Sequence, residues 1–329
     1  SDSVYVVAGT NVNWALISDG SAVTIIDAGY PADTDDLLDS IGQIGHRLED
    51  VAAVLLTHAH LDHIGAIPTL VERIGMPVYT GTEEVRHAKR EYLQQITPVE
   101  MLKQLGSQRG RRWVTQTIKA ARGGMKTTVP TATAAAPEVL AQLPGGLIAV
   151  PSPGHTSGHT AYFMPSEKVL FSGDALVTGH PLLIDAGPQL LPSFFSHDEA
   201  LSRLSAEQLA ARPVHALVPG HGAPIVCNEP TPLRIIDRRA RPAYDAGIEL
   251  GDRNGGKHLA LTLFRDETAV YRMLMIAGFV TMCDIWVATI FMSGLKFYKT
   301  IVALFGGGYG ISVLLAVWLR QYGLEGLLG

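Results

Sequence analysis

The sequence predicts a layered α/β domain followed by two membrane-spanning helices. Strand-like and helix-like segments alternate along the first part of the chain, which is typical of α/β layers. Several apolar runs end close to glycine and then histidine or aspartate, so polar side chains collect at strand ends. Near the C-terminus, two apolar runs reach the length of about 20 residues that a membrane helix needs.

Composition narrows the functional classes before any motif is considered. The chain has 329 residues and a formal net charge of −5, which argues against a general nucleic-acid binder. Its two cysteines, Cys227 and Cys283, imply no disulfide framework and favour a reducing compartment. The N-terminal residues enter a strand-like run directly, so no signal peptide is expected.

The N-terminal segments alternate in the order that an α/β layer requires. Short aliphatic runs predict strands, and apolar residues at helical spacing predict helices. A polar turn at 18–21 indicates a hairpin between the second and third strands. The predicted strands are 4–7, 12–17, 22–26, 51–56 and 77–79, and the predicted helices are 35–45 and 64–74.

A dense group of potential metal ligands follows the strand at 51–56. His58, His60, Asp62 and His63 lie within six residues of one another. Imidazoles and a carboxylate suit zinc or another borderline transition metal, and the chain has too few thiols for a cysteine site. Burying these side chains without a metal would leave several polar groups unpaired. The group therefore predicts a metal site where a buried strand ends.

Residues 83–126 interrupt the alternation with a helix-favouring basic segment. Between residues 85 and 126, ten basic residues stand against two glutamates, a local charge of +8 in an acidic chain. One interpretation is a solvated helical face; the other is a lid that recognises anions or rests near an anionic membrane. A Thr-, Ala- and Pro-rich stretch at 127–137 is predicted to link back to the main sheet. The basic residues are Arg86, Lys89, Arg90, Lys103, Arg109, Arg111, Arg112, Lys119, Arg122 and Lys126.

Three later strands also end beside ligand-type side chains. Glycine close to each of these side chains lets the backbone approach a crowded centre. Because strand ends converge in layered α/β folds, we expect these residues to join the first group at one rim. The strands are 147–150 before His155 and His159, 168–171 before Asp174, and 216–218 before His221.

This pattern resembles the metallo-β-lactamase-fold superfamily. The His-x-His-x-Asp-His motif at 58–63 and its later partners occur in the expected order over roughly residues 1–230. The resemblance implies an αββα sandwich with the metals at one edge. It also implies one metal on His58, His60 and His155, a second on Asp62, His63 and His221, and a bridge through Asp174. Asp27 would then orient the ligand loop, and His159 would be a structural hydrogen-bonding residue.

Details of the motif favour the glyoxalase II and lactonase-like branch. Asp174 stands where many true β-lactamases carry Cys or Ser, and His60 stands where flavo-diiron oxygen reductases usually have Glu. The nuclease branch is not supported, because the basic segment carries few aromatic residues and no recognisable RNA arm. A persulfide-dioxygenase-like enzyme with one iron, held by His60, His155 and Asp174, stays an alternative.

The ligand set predicts a dinuclear metal-dependent hydrolase of an ester, thioester or lactone bond. Two Zn²⁺ ions, or another divalent transition metal such as iron, would provide a metal-bridging hydroxide for attack on a carbonyl carbon. Asp62 is predicted to pass a proton to the leaving group besides binding metal. A further alternative is a membrane-complex subunit whose hydrolase domain is vestigial, and the intact ligand set argues against it.

The C-terminal segment is predicted to form a transmembrane helical hairpin. The run 273–295 contains one charge, Asp284, and the run 300–319 contains none, so each is long enough to span a membrane. The alternative is a buried helical pair that packs on the first domain or dimerises. The predicted divisions are a catalytic domain at 1–232, including the insert at 83–126, a basic and glycine-rich linker at 233–266, and the hairpin at 267–329.

Charges beside the predicted hairpin indicate its orientation and its partners. Basic residues are more numerous on the side of the two hairpin ends than at the turn, so the positive-inside rule places the catalytic domain in the cytoplasm. Asp284 is expected to face a partner helix or a second copy of the chain rather than lipid. Anionic membrane lipid would attract the basic insert, which predicts amphiphilic or acyl-chain-bearing substrates and no nucleic-acid partner.

Overall fold

The computed structural model describes residues 2–236 of the chain. The predicted linker lies outside these residues from position 237 onwards, and the predicted hairpin with Asp284 lies outside them entirely. The strands are β1 Ser3–Ala8, β2 Asn13–Ser18, β3 Val23–Ile26, β4 Val51–Leu55, β5 Val78–Thr80, β6 Thr133–Ala134, β7 Ile148–Pro151, β8 Thr160–Met164, β9 Val169–Gly173, β10 Val214–Pro219 and β11 Ile225–Thr231. The α-helices are α1 Thr34–Gln43, α2 Leu61–Ile64, α3 Ile67–Ile74, α4 Glu84–Ala88, α5 Pro98–Lys103, α6 Gln108–Ala120, α7 Pro137–Gln142 and α8 Glu199–Ala210.

The strands form two sheets, ordered β1-β2-β3-β4-β5-β6 and β11-β10-β9-β8-β7. In the first sheet β3, β4, β5 and β6 are parallel neighbours, and in the second sheet β9 and β10 are parallel. Parallel strands point their carboxyl ends to the same edge, so the residues after β3 and β4 lie together, as do those after β9 and β10. The predicted α/β layers are confirmed.

Alternating side chains divide the core into three layers. On β2, Ile17 packs between the sheets while Leu16 faces the helices on the outer side, as the strand period of two requires. Each fully buried Leu or Ile side chain contributes about 1.5–3 kcal/mol to folding. The central layer includes Ile17, Ile26, Leu55, Tyr162, Phe171 and Val218; the layer beside α1 and α3 includes Leu16, Ile25, Leu37, Ile41, Ile67 and Leu70; the layer beside α8 includes Leu170, Ala206, Leu209 and Leu217.

Two helices, α2 and α3, take the place of the single helix predicted at 64–74, and Gly65 and Ala66 lie between them. Gly65 and Ala66 donate their backbone N–H groups to the carbonyl oxygens of Gly29 and Ala28, at 2.8 and 3.1 Å. A side chain at Gly65 would overlap with the backbone of Tyr30. This close approach joins the end of the metal-ligand motif to the segment that follows β3.

The basic insert contains α4, α5 and α6, and eight of its ten basic side chains are exposed, whereas Arg90 and Arg111 are half-buried. On α6, Trp113 and Val114 are buried, whereas Arg109, Arg112 and Lys119 are exposed. The stretch predicted as a linker at 127–137 contains β6, which adds to the edge of the first sheet beside β5. The sequence interpretation also missed α7, α8, β8 and β11, whose short or mixed patterns carry little periodic signal.

Candidate metal centre

The predicted ligands lie where the carboxyl ends of four strands meet. Asp27 follows β3, the motif at 58–63 follows β4, Asp174 follows β9 and His221 follows β10. One backbone hydrogen bond joins the two sheets at this edge: Asn13 N–H, at the start of β2, donates to the carbonyl of Gly220 at 2.7 Å. Within the second sheet, Gly220 N–H donates to the carbonyl of Gly173 at 2.8 Å. The segments that carry Asp174 and His221 are therefore held by backbone hydrogen bonds.

The structure brings all seven predicted ligands together in two groups. Within each group, one ligand atom per residue lies within 4.8 Å of the others. Six of the seven side chains are buried, and Asp62 is partly exposed. The first group is His58, His60, His155 and Asp174, and the second is Asp62, His63 and His221.

The carboxylate of Asp174 lies between the two groups. Its Oδ2 is 3.3 Å from Nε2 of His155 and 3.8 Å from Nε2 of His58, both in the first group. The same oxygen is 3.1 Å from Nε2 of His221, and Oδ1 is 3.5 Å from Nε2 of His63, both in the second group. This placement fits a carboxylate shared by two cations.

His60, His63 and His221 are each oriented by a hydrogen bond at one ring nitrogen. Nδ1 of His63 donates to Oδ2 of Asp27 at 2.8 Å, and Nε2 of His60 donates to the carbonyl of Gln94 at 2.6 Å. Nδ1 of His221 likewise donates to the carbonyl of Asn11. Such partners fix the tautomer, so the remaining nitrogen keeps its lone pair for a metal.

Buried polar atoms without partners show that the residues fit a cation. Four buried atoms of the predicted ligands have no hydrogen-bond partner among the described residues: Nε2 of His58, Nε2 of His63, Oδ1 of Asp174 and Nδ1 of His155. Leaving such a group unsatisfied costs about 1–3 kcal/mol. The first three need an explanation, because the two Nε2 atoms lie 3.8 and 3.5 Å from the oxygens of the Asp174 carboxylate. A divalent ion with nitrogen and oxygen ligands, such as zinc, would satisfy all three.

Electrostatics give these side chains the charge states that metal ligands need. Burial lowers the pKa of His60 to about 3 and holds the pKa values of His58 and His155 well below the usual range. Burial also opposes ionisation of Asp174, but His221 and His63 hold its pKa well below the usual value. Neutral imidazoles and an ionised carboxylate are the forms that bind metal.

His63 and His221 behave differently because acids surround them. Burial disfavours their charged forms, yet Asp27 and Asp174 raise the pKa of His63, and Asp174 raises that of His221. Without a metal, protons on these rings therefore balance the carboxylates. A bound cation would take over that role.

Asp27 and His159 lie where the sequence interpretation expected supporting residues. Oδ1 of Asp27 accepts from Thr57 N–H at 2.8 Å, and Oδ2 accepts from the Thr57 hydroxyl at 2.7 Å as well as from His63. His159 belongs to neither ligand group among the described residues. Its Nε2 accepts from Asp174 N–H at 3.1 Å and its Nδ1 donates to Ser152 Oγ at 2.8 Å, so it holds the ligand backbone.

Sequence reasoning missed a buried acid beside the centre. Glu84 is fully buried, and its Oε1 accepts from Ala59 N–H at 2.7 Å and from Nδ1 of His87 at 2.6 Å. Its Oε2 accepts from Thr156 Oγ1 at 2.8 Å. Glu84 thus links the motif loop to the loop of His155. No spacing signal marks this residue, because it follows a strand of only three residues.

The sequence is similar to known proteins over most of the described residues. Residues 7–221 match the family model described as the metallo-beta-lactamase superfamily. The chain is 27% identical over 223 residues to the "Probable metallo-hydrolase YflN" of Bacillus subtilis, covering 64% of this chain and 79% of that protein. It is 24% identical over 169 residues to the hydroxyacylglutathione hydrolase of Buchnera aphidicola, covering 51% of this chain and 48% of that protein.

Two further comparisons concern solved structures and the C-terminal segment. A metallo-beta-lactamase of Cronobacter sakazakii with a HARLDQ motif is 21% identical, with a TM-score of 0.47, and covers 67% of this chain and 75% of its own. Residues 256–329 match the family model PelG, whose description names an exopolysaccharide exporter (EPS-E).

Proposed function

Because the chain belongs to the metallo-beta-lactamase superfamily of metal-dependent hydrolases, we propose that it hydrolyses an ester, thioester or lactone bond with two metal ions. The observation that carries the proposal is the position of Asp174 between two ligand groups that are both complete. His58, His60 and His155 would hold one ion, Asp62, His63 and His221 would hold the other, and Asp174 would contribute to both sites.

The chain's own side chains supply orientation and proton transfer. When bound, two divalent ions polarise a carbonyl group and lower the pKa of a water molecule. Asp62 is partly exposed and lines the cavity beside the centre, so it can carry a proton between the centre and a leaving group. Among the described residues that line the cavity there is no serine or cysteine, so the reaction does not use a side-chain nucleophile of those types.

Two observations weigh against the alternatives. A mononuclear iron enzyme would use His60, His155 and Asp174, but the second group is equally well formed and its histidines are buried. A vestigial domain would have no reason to keep buried polar atoms without partners at the centre. Both observations support a dinuclear hydrolase.

The chain is proposed to be tethered to a membrane through its C-terminal segment, with the catalytic domain in the cytoplasm. The apolar runs near the C-terminus and the match of residues 256–329 to the PelG family support it. Within residues 2–236, no helix combines the length and apolar character needed to cross a bilayer. The support for a membrane tether therefore comes from the sequence after residue 236.

Hydrolysis by the full-length chain tests the proposed function. The protein is treated with a chelator, reloaded with Zn²⁺ or Fe²⁺, and offered a short ester, a short thioester and a γ-lactone. Hydrolysis that is lost with the chelator and restored by metal supports the proposal. A metal-replete protein that hydrolyses none of them, but consumes oxygen with a persulfide, would replace it with the mononuclear alternative.

A further inference from the structure

A cavity adjoins the metal centre, and most of its lining is apolar. Its volume is about 110 Å³, and since roughly 10–15 Å³ is enough for one water molecule, it can hold a group of several heavy atoms. Four of the predicted metal ligands line it: His60, Asp62, Asp174 and His221. The remaining lining includes Met101, Trp113, Ile118, Met125, Leu191 and Phe195.

Aromatic contacts connect the insert to the metal centre along this cavity. The ring of Trp113 lies 5.6 Å from that of Phe195 and 5.7 Å from that of His180. His180 in turn lies 5.1 Å from the ring of His221. Nδ1 of His180 accepts a hydrogen bond from Leu182 N–H at 3.1 Å, so this nitrogen carries no proton. The rings of Trp113, Phe195 and His180 therefore form an aromatic wall between α6 and His221, a proposed metal ligand.

The basic residues of the insert do not reach this cavity. No lysine or arginine occurs among the described residues that line it. Arg109, Arg112 and Lys119 on α6 are exposed, and Arg90 donates to the backbone carbonyls of Ala59 and Thr127 instead. An anionic group inside the apolar part of the cavity would be buried without a cationic partner, which is strongly unfavourable.

We propose that this cavity binds an uncharged apolar chain attached to the scissile carbonyl group. The substrates are then esters, thioesters or lactones with an aliphatic chain of several carbons, and the insert determines this selectivity through Trp113, Ile118 and Met125. The inference rests on the proposed hydrolase function and adds the substrate class to it. The basic charges of the insert have no part in holding this chain.

Two matched isoleucines allow a direct test. Ile118 lines the cavity and is 61% exposed, while Ile148 on β7 lies outside the cavity and is 53% exposed. Aspartate at either position adds the same charge to an exposed site, so folding should survive in both variants. The full-length, metal-loaded protein is assayed with p-nitrophenyl acetate, butyrate, hexanoate and octanoate, and with methyl, butyl and octyl acetates.

The dependence of kcat/KM on the length of the aliphatic chain of the substrate tests the proposal. Each methylene that enters the cavity should raise kcat/KM by up to about fourfold in one of the two series. Ile118→Asp should abolish this rise, so that kcat/KM falls at least tenfold more for p-nitrophenyl octanoate than for p-nitrophenyl acetate; Ile148→Asp should behave like the unmodified protein. Equal kcat/KM for all lengths, or an equal loss for acetate and octanoate in Ile118→Asp, would overturn the inference while leaving the hydrolase proposal intact.

A binding measurement separates the inference from hydrolysis itself. Calorimetric titration with 1-octanol and 1-butanol needs no turnover, and octanol should bind at least tenfold more tightly. The difference should disappear in Ile118→Asp and persist in Ile148→Asp. If it persists in both variants or is absent from the unmodified protein, the cavity does not bind an apolar chain. If the difference is found but no ester, thioester or lactone is hydrolysed, the proposed function fails and the apolar site remains.

Discussion

The carbonyl oxygen of Gln94 lies 2.6 Å from Nε2 of His60. A carbonyl oxygen can only accept a hydrogen bond, so this imidazole carries its proton on Nε2 and its Nδ1 lone pair faces Nε2 of His155, 3.0 Å away. The side chain of Gln94 holds the loop of His155: Oε1 accepts from Ser157 N–H at 2.8 Å and Nε2 donates to Ser157 Oγ at 2.7 Å. One residue of the insert therefore positions two histidines of the first ligand group.

Replacing Gln94 with alanine should weaken metal binding, because the loop of His155 loses both hydrogen bonds to the amide while the backbone carbonyl stays in place. Groups that orient metal ligands change affinity by about 10–100-fold. We expect about tenfold, since the amide acts through Ser157 and not on a ligand. Competition with a chelator measures the affinity. Gln43→Ala, at an exposed position of α1, is the control, and equal affinities in the two variants would refute this role of Gln94.

Gly220→Ala should displace Asp174. A methyl group at position 220 would overlap with Oδ1 of Asp174 and lie 3.0 Å from Cε1 of His63, so the shared carboxylate must move. Metal content per chain should fall for both ions. Gly42→Ala is the matched control, because nothing lies within 4 Å of that position on α1. There alanine should leave metal content unchanged and raise stability by up to about 0.5–1 kcal/mol. The account of this glycine is wrong if both variants keep their metal.

Asp27→Asn isolates the effect of a carboxylate that accepts three hydrogen bonds. Asp27 has a positive φ of 60°, which asparagine also tolerates, so the backbone should keep its conformation. The asparagine side chain has a single oxygen that can accept, and its NH2 group can only donate, so it cannot accept all three hydrogen bonds from Thr57 and His63. A buried donor left without an acceptor costs about 1–3 kcal/mol.

Urea unfolding of the metal-free protein and metal affinity should both report this loss. Asp39→Asn, at an exposed position of α1, should change stability by less than about 0.5 kcal/mol. Equal effects of the two substitutions would mean that Asp27 has no special part in orienting His63.

Truncation tests the proposed membrane tether, and the structure indicates where to cut. Leu233 and Ile235 pack against the core beside α8, and Ile236 N–H donates to the carbonyl of Pro188 at 2.8 Å. A chain ending at 231 would lose these contacts, whereas one ending at 236 keeps them. The chain ending at 236 should stay in solution without detergent, and the full chain should need detergent. Size-exclusion chromatography measures both, and a full-length chain that is monodisperse in plain buffer would argue against the tether.

The sequence predicted the metal ligands where a strand-like apolar run ends beside a side chain that can bind metal. The apolar run before His58 and the glycines beside Asp174 and His221 indicated both a strand end and a ligand, and the fold places those ends at one edge. A resemblance to a known family supplied the division of the ligands into two groups. In the structure the first group also contains Asp174, which the resemblance assigned to both metals.

Contacts between distant segments could not be read from the sequence. Glu84 and Gln94 act through hydrogen bonds to loops far along the chain, and neither residue type is unusual in a polar helical segment. The break between α2 and α3 depends on the approach of the backbone near Tyr30, which local helix propensity does not report. The aromatic contacts from Trp113 to His180 likewise depend on how α6 docks.

Metal analysis of the purified 329-residue chain decides whether the centre is dinuclear. The protein should contain two equivalents of a divalent transition metal per chain, because two complete ligand groups share Asp174. Asp174→Ala should lower the content of both ions and abolish hydrolysis. A single iron per chain, no metal, or full occupancy with unchanged hydrolysis in Asp174→Ala would contradict the dinuclear site.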